Sequence, residues 1–305
     1  MTDQLLRQVR LALQTGDFSA AIQGLESAAQ AAREAGDRAA EGRHLGNLGL
    51  IYHRGGMKEQ ALVAFQRALM SARADGDHLT EDGLLGNMGN ILREIGRYDE
   101  AITHLNQAMM LARDVGDTRG RGIWLANLGL VYDDMGRPED AIPLHQGSVA
   151  VAREIADQRG LAARLGNLGN SYVALNQYEA AIPVFEEAAL LFRDLGDTNG
   201  LAQRLGVIGN LYAALGRASL SRRAGIENRQ QALKNYQRTL EIAQEVGDQR
   251  SQADLLRSIG MLYLELKNPS EAAAHFDKAI NLYTSLGLPD IVDMIRNIHP
   301  YLEGG

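Results

Sequence analysis

An all-α fold, a solenoid of antiparallel helix pairs, follows from three features of the 305-residue sequence. Two short motifs recur at one spacing, the apolar residues inside each period are spaced as on a helix, and glycine (33) is plentiful while proline (6) is scarce. The first motif is a Gly-Asp pair at Gly36-Asp37, Gly76-Asp77, Gly116-Asp117, Gly196-Asp197 and Gly247-Asp248, with Ala156-Asp157 filling the gap, so four steps are 40 residues and the last is 51. The second is Leu45-Gly46-Asn47, Leu85-Gly86-Asn87, Leu125-Ala126-Asn127 and Leu165-Gly166-Asn167, fading into Leu205-Gly206-Val207 and Leu256-Arg257-Ser258. Self-similarity at such a period is the signature of stacked repeats rather than of two ordinary domains.

Within a period the elements follow in order. Over residues 39–54, Leu45, Leu48, Gly49 and Tyr52 fall at i, i+3, i+4 and i+7, which predicts a first helix, A. Gly55-Gly56 ends it, and residues 59–74 repeat the pattern with Ala61, Leu62, Phe65, Ala68, Leu69 and Ala72 as helix B. Gly76 is the favoured residue just past a helix, and Asp77 stands ready to cap the next one. The units run over 3–36, 39–76, 78–116, 118–156, 158–196, 198–247 and 249–287, a single array across 1–305 whose first A helix (3–15) is degenerate. Pro289 opens a closing helix, over 289–300, with Ile291, Met294, Ile295 and Ile298 on one stripe before Pro300. No pair can bury its own stripe, so each depends on its neighbours and the last helix acts as a cap.

Interior glycines cost about 1 kcal/mol each relative to alanine, yet most A helices carry two, as at Gly46 and Gly49, Gly86 and Gly89, or Gly166 and Gly169. The expected compensation is close approach of a neighbouring helix, with large residues such as Tyr52, Phe65 and Tyr172 filling the space. A phosphate-cradling loop is the weaker reading, because these glycines are mid-helix at i, i+3, not between a strand and a helix.

Composition bounds the function. With 45% hydrophobic and 23% charged residues the chain has ample material for a core, and a net charge of -7 gives no basic field for nucleic acid or an anionic membrane. Without cysteine there is no disulfide framework or thiolate metal site, and no apolar stretch has the length of a signal core or a membrane span, which predicts a cytoplasmic protein. The seven histidines form no metal-ligand pair, Asp133-Asp134 diverge by about 100° on a helix, and no nucleotide-binding or nucleophile-elbow motif occurs. No enzyme, cofactor or metal is expected.

The run Asn167-Leu168-Gly169-Asn170-Ser171-Tyr172, then Asn176-Gln177-Tyr178-Glu179-Ala180-Ala181-Ile182 and closing Gly196-Asp197, resembles the tetratricopeptide repeat, and specifically its longer-unit Leu-Gly-Asn subclass. That subclass includes cell-polarity adaptors that bind extended peptides and bacterial sensor domains of transcription regulators and large ATPases. The resemblance implies a right-handed superhelix whose concave wall of A helices holds a peptide or an amphipathic helix. It also implies which positions face that groove.

The residue after the second glycine reads Leu50, Asn90, Leu130, Asn170, Asn210 and Met261. Asparagine is a poor helix-interior residue, and its amide matches both the N–H and the C=O of an extended peptide. Asn47, Asn87, Asn127 and Asn167 lie one turn earlier and join the groove set, although the resemblance equally implies a scaffold role in which each bonds to backbone between repeats. Arg43, Arg54 and Arg93, with Arg164 and Arg204 in the register of His44 and Trp124, suit a carboxylate-bearing ligand, while Asp133 and Asp134 add an acidic patch. Each of these charges fits a solvated face or an inter-repeat ion pair as well. Trp124 fits two roles, a ligand anchor or a packing residue between A helices. The 11 extra residues, near 217–228, carry Arg217, Arg222, Arg223 and Arg229 around two serines and are expected as an exposed loop between helices A and B of the sixth pair. The expected function is a scaffold for a protein or peptide partner, with a ligand-sensing regulatory domain and a self-assembling homo-oligomer as alternatives.

Overall fold

A glycine just past most B helices and an aspartate after it set the helix boundaries. In the computed structural model, which describes residues 7, 9, 11, 12 and 14–298, Gly76 takes a left-handed φ of 69° and Asp77 accepts a hydrogen bond from the Thr80 N–H at 3.0 Å. Asp17, Asp37, Asp117, Asp197 and Asp248 cap their helices in the same way, at 2.8–3.0 Å. Each cap satisfies one of the backbone donors that a helix start leaves unpaired.

Fourteen helices follow among the described residues: α1 (Phe18–Glu34), α2 (Arg38–Arg54), α3 (Lys58–Asp75), α4 (His78–Glu94), α5 (Tyr98–Val115), α6 (Thr118–Asp134), α7 (Pro138–Glu154), α8 (Gln158–Ala174), α9 (Tyr178–Asp194), α10 (Thr198–Ala218), α11 (Arg222–Glu245), α12 (Gln249–Glu265), α13 (Pro269–Ser285) and α14 (Pro289–Arg296). The fold is all-α. The even-numbered helices α2 to α12 are the A helices, and α1 and the odd-numbered ones from α3 are the B helices. The A helix expected over 3–15 lies partly outside the described residues, but Val9 and Ala12 are helical and buried. The chain divides into two compact units, residues 1–157 and 158–305. In the first, one core runs through α1 to α6 around Leu25, Leu45, Phe65, Leu85, Leu105 and Trp124. In the second, cores gather around Phe185 with Ile208, Tyr236 with Ile259, and Phe276 with Tyr283.

Glycine makes the pairs possible. A Cβ built on the second glycine of each A helix would stand 2.5–2.7 Å from a side chain of its own B helix: Phe65 at Gly49, Leu105 at Gly89, His145 at Gly129, Phe185 at Gly169, Tyr236 at Gly209 and Phe276 at Gly260. No real Cβ tolerates such a contact, so the roughly 1 kcal/mol cost of each glycine is offset by burying a large ring or Leu side chain, worth about 2–3 kcal/mol for a full burial. The first glycine serves the neighbouring repeat. Leu84 lies over Gly46, the Trp124 ring fills the place of a side chain at Gly86, and the Arg204 guanidinium covers Gly166. Of the partners expected from sequence, Phe65 fills this role. Tyr52 does not stand over a glycine and instead donates its hydroxyl to Glu26 at 2.9 Å.

Two expectations are corrected. The 11 extra residues do not form an exposed loop: α10 runs on to Ala218 and α11 begins at Arg222, so the insertion lengthens both helices and leaves only Ser219–Ser221 between them. Gly216 and Gly225 permit this, because a Cβ on either would come within 3.2 Å of the other's carbonyl oxygen. The cap helix α14 buries Ile295 and packs Ile291 and Ile298 against the same core, as expected, but Val292 joins them in place of Met294, which is 48% exposed; Pro300 lies outside the described residues.

Two substitutions separate close approach from propensity. Gly49→Ala should lower stability by about 1–3 kcal/mol through overpacking against Phe65. Gly83→Ala, which meets nothing within 4 Å, should raise it by up to about 1 kcal/mol. Ala156 occupies the left-handed position that glycine fills elsewhere, with φ 54°, so Ala156→Gly should stabilise by about 1 kcal/mol. Denaturant midpoints of the three variants check all three signs.

Candidate functional site

Once the inner positions of an A helix are committed to its partners, residues at i, i+4, i+7 and i+11 are left facing solvent. In α2 these are Arg43, Asn47, Leu50 and Arg54, all exposed; in α4 they are Gly83, Asn87, Asn90 and Glu94. In α6 they are Ile123, Asn127, Leu130 and Asp134, in α8 Ala163, Asn167, Asn170 and Ala174, and in α10 Gln203, Val207, Asn210 and Ala214. None of these positions is buried. Each unit therefore presents one polar stripe per repeat.

Hydrogen bonding sorts the asparagines differently from the expectation. Asn90 is occupied: its amide donates to Glu94 Oε1 at 3.2 Å and its oxygen accepts from Arg93 at 3.4 Å. Asn210 accepts the Tyr236 hydroxyl at 2.6 Å. By contrast the side chains of Asn47, Asn87, Asn127, Asn167 and Asn170 make no hydrogen bond with any described residue. The scaffold role weighed for the Asn47 series, bonding to backbone between repeats, is thus not what these amides do. Asn47, Asn87, Asn127 and Asn167 are open amides one turn from the Asn90 position, and Asn170 is open at that position itself.

The charged residues divide in the same manner. Arg93 donates to Asp134 at 2.7 Å, and Glu94 receives His53 at 3.0 Å and Lys58 at 3.1 Å, so these side chains tie α2, α3, α4 and α6 together and are not free for a ligand. Asp133 takes a hydrogen bond from the fully buried His145 at 2.9 Å, which occupies the slot where other repeats hold Phe65 or Phe185. Arg164 is buried, 6% exposed. Arg204 lies 5.4 Å over the Phe185 ring, and burial lowers the pKa of its guanidinium. Neither arginine is an open carboxylate clamp. Arg43 and Arg54 are both exposed, and neither has an ion-pair partner among the described residues. Arg43, Asn47, Leu50, Gly83 and Asn87 surround a hollow of about 330 Å³ floored by Phe65 and Leu84.

Trp124 is not a surface anchor. It is 7% exposed because the missing side chain at Gly86 lets its ring sit between α4 and α6. Beside it lies Asp82, 2% exposed, whose pKa is pushed up to about 6 by burial and then by the charge of Asp117. The indole favours the ionised form but completes no hydrogen bond, so the Trp124 Nε1–H and Asp82 Oδ2 are both buried without a partner. Sequence reasoning passed over Asp82 and His145. For His145 a signal existed: it stands 16 residues after Gly129, as Phe65 does after Gly49 and Phe185 after Gly169. Nothing comparable marks Asp82. Among the described residues no group of three or more acidic or histidine side chains is placed to hold a metal, and no helix is long and apolar enough to cross a membrane.

Antiparallel pairs at a fixed step, locked by glycine contacts and each presenting a polar stripe, define a helical-repeat protein. Its repeats are tetratricopeptide repeats: one family model of that description matches residues 81–154 and 225–285, and a second matches 45–75 and 162–195. A model described as anaphase-promoting complex subunit 5 matches residues 3–40. No curated protein matches the sequence. Among solved structures, a signal transduction ATPase with a tetratricopeptide-repeat sensor from Pyrococcus horikoshii is similar at 17% identity and TM-score 0.75, over 97% of this chain and 44% of that one. The apo form of RapI is similar at 12% identity and TM-score 0.65, over 94% and 98%. A Rap protein complexed with competence and sporulation factor is similar at 14% identity and TM-score 0.57, over 99% and 85%. At these identities the likeness shows the fold.

The buried carboxylate gives a pH test. Because the folded pKa of Asp82 lies above its unfolded value near 3.9, the fold favours the protonated form; that contribution is full below about pH 4 and is lost as pH rises through 6. Asp82→Asn should therefore be more stable than the parent at pH 7, by up to about 3 kcal/mol for a shift of roughly two pH units, and the gap should close toward pH 4. Paired thermal melts across that range measure it; a gap independent of pH rejects the assignment.

Proposed function

We propose that this chain is a non-enzymatic interaction scaffold that holds an acidic peptide segment in extended form against the outward stripes of its A helices. The observation that carries the reading is the set of unpaired amides recurring at one register, Asn47, Asn87 and Asn127 in the first unit and Asn167 in the second, with Asn170 one turn on and the unpaired Arg43 and Arg54 beside the first of them. An amide offers a donor and an acceptor to peptide backbone of any sequence, and each such bond is worth about 1 kcal/mol net. The two arginines add preference for carboxylates, and the hollow beside Leu50 accepts a side chain. A Rap protein of similar fold is complexed with competence and sporulation factor, which supports a peptide as the partner class. The 40-residue step supports membership of the longer-unit Leu-Gly-Asn subclass, and the same reading takes the protein as cytoplasmic.

A second reading, a regulatory sensor, draws on the similarity to a tetratricopeptide-repeat sensor that spans nearly the whole of this chain. The two differ in outcome. A scaffold holds its ligand with little change of form, whereas a sensor changes its scattering profile on binding.

Peptides selected by display and measured by calorimetry test the scaffold. Acidic sequences should dominate the selection, and Arg43→Gln with Arg54→Gln should weaken binding about tenfold or more, with the loss shrinking at high salt. Asn47→Ala with Asn87→Ala should weaken every selected peptide by a similar factor, of about five to thirty for two hydrogen bonds. Unchanged affinity in both double variants rules the face out.

A further inference from the structure

The insertion adds eleven residues that bury almost nothing apolar. Leu220 at its tip is fully exposed and Ile226 is 37% exposed, while four arginines enter at 217, 222, 223 and 229. What the lengthened hairpin of α10 and α11 does is stand beside the turn that joins α12 to α13, enclosing a hollow of about 470 Å³. Its charged lining is one-sided: Arg217, Arg222, Arg229 and Lys267 against a single carboxylate, Glu265. Glu265 is already shared, taking Arg229 at 2.7 Å and Arg217 at 3.4 Å. Arg222 and Lys267 have no ion-pair partner among the described residues. The hollow thus carries three net positive charges, within a chain whose net charge is -7.

Local backbone geometry shapes the rim. Lys267 holds a left-handed φ of 61°, and the Asn268 that follows caps α13 through the Glu271 N–H. Arg229 is braced from the other side by its bond to the Gly225 carbonyl at 3.0 Å. The remaining walls are Ser219 and Ser221 with the apolar faces of Ile226, Tyr263 and Leu266. Like charges gathered around a cavity repel one another, and an anion that enters relieves that repulsion while its organic part covers the apolar wall. The size is that of a small-ligand site.

We infer that this hollow binds a phosphate monoester, its dianion held by Arg222 and Lys267 and its apolar body resting on Ile226, Tyr263 and Leu266. Arg217 and Arg229, neutralised in part by Glu265, shape the wall. A doubly charged phosphate matches two unpaired cations, whereas a single carboxylate would leave one uncompensated. The same chemistry is offered by a free phosphorylated metabolite or by a phosphorylated side chain of a partner. The site is separate from the asparagine stripes and does not depend on the reading of those.

Calorimetry on the whole chain tests it with inorganic phosphate, phenyl phosphate, benzoate and a short phosphoserine peptide beside its unphosphorylated form. Phenyl phosphate is expected to bind at least tenfold more tightly than benzoate and more tightly than inorganic phosphate, and to weaken as salt rises. Arg222→Gln with Lys267→Gln should reduce that affinity at least tenfold with an unchanged melting temperature, since neither side chain is paired in the fold. Asn47→Ala with Asn87→Ala should leave it unaltered. Preference for the phosphoserine peptide over phenyl phosphate identifies a protein source, and the reverse identifies a small molecule. Equal binding of benzoate and phenyl phosphate, no measurable phosphate binding, or full affinity in the Arg222/Lys267 variant overturns the assignment.

Discussion

The six pairs from α2 to α13 depend on one contact: the backbone of an A helix meeting a large side chain of its own B helix where a glycine has removed the Cβ. The contact decides which face of the A helix turns inward, because Gly49 and its equivalents must oppose Phe65 and its equivalents. With that face fixed, Leu45, Leu48 and Ile51 are buried by geometry, and Asn47, Leu50 and Arg54 are sent to solvent. The outward stripe is therefore the residue of a packing requirement. A helix with alanine there would sit farther from its partner or rotate, and the stripe would turn with it.

The first glycine makes the same argument between repeats. Leu84, Trp124 and Arg204 are chemically unlike, yet each settles on the glycine of the preceding A helix. The space above that glycine accepts side chains of differing polarity, which is how a partly buried arginine comes to lie over Phe185. Substitutions of this kind carry electrostatic consequences. His145 in an aromatic slot recruits Asp133, and Trp124 in the apolar register stands beside Asp82 and leaves a carboxylate short of hydrogen bonds.

Much of this architecture could be read directly. Glycine just past a helix, aspartate at the cap and the 40-residue step each act locally, through backbone conformation and the first turn, so they mark the chain wherever they occur. The candidate face was legible as a register but not as a set of available groups. Asn90 and Asn170 occupy the same position of their helices, yet Asn90 lies between Glu94 and Arg93 and is spent, while Asn170 has Ala174 one turn on and remains free. Arg93 and Arg54 look alike in sequence, and only one of them has an aspartate waiting 41 residues away.

The sequence by itself determined the all-α class and most of the helix starts and ends outside the insertion, because capping, left-handed glycine and apolar spacing are properties of short segments. Tertiary structure decided which polar groups stay open. Arg93 is engaged because Asp134 stands opposite it one repeat on, at 2.7 Å, and Asn210 because Tyr236 of its partner helix does, at 2.6 Å; no local pattern encodes either pairing. Tertiary structure also decided that eleven inserted residues form two helical extensions and not a loop, since Gly216 and Gly225 allow the lengthened helices to touch only once both are in place.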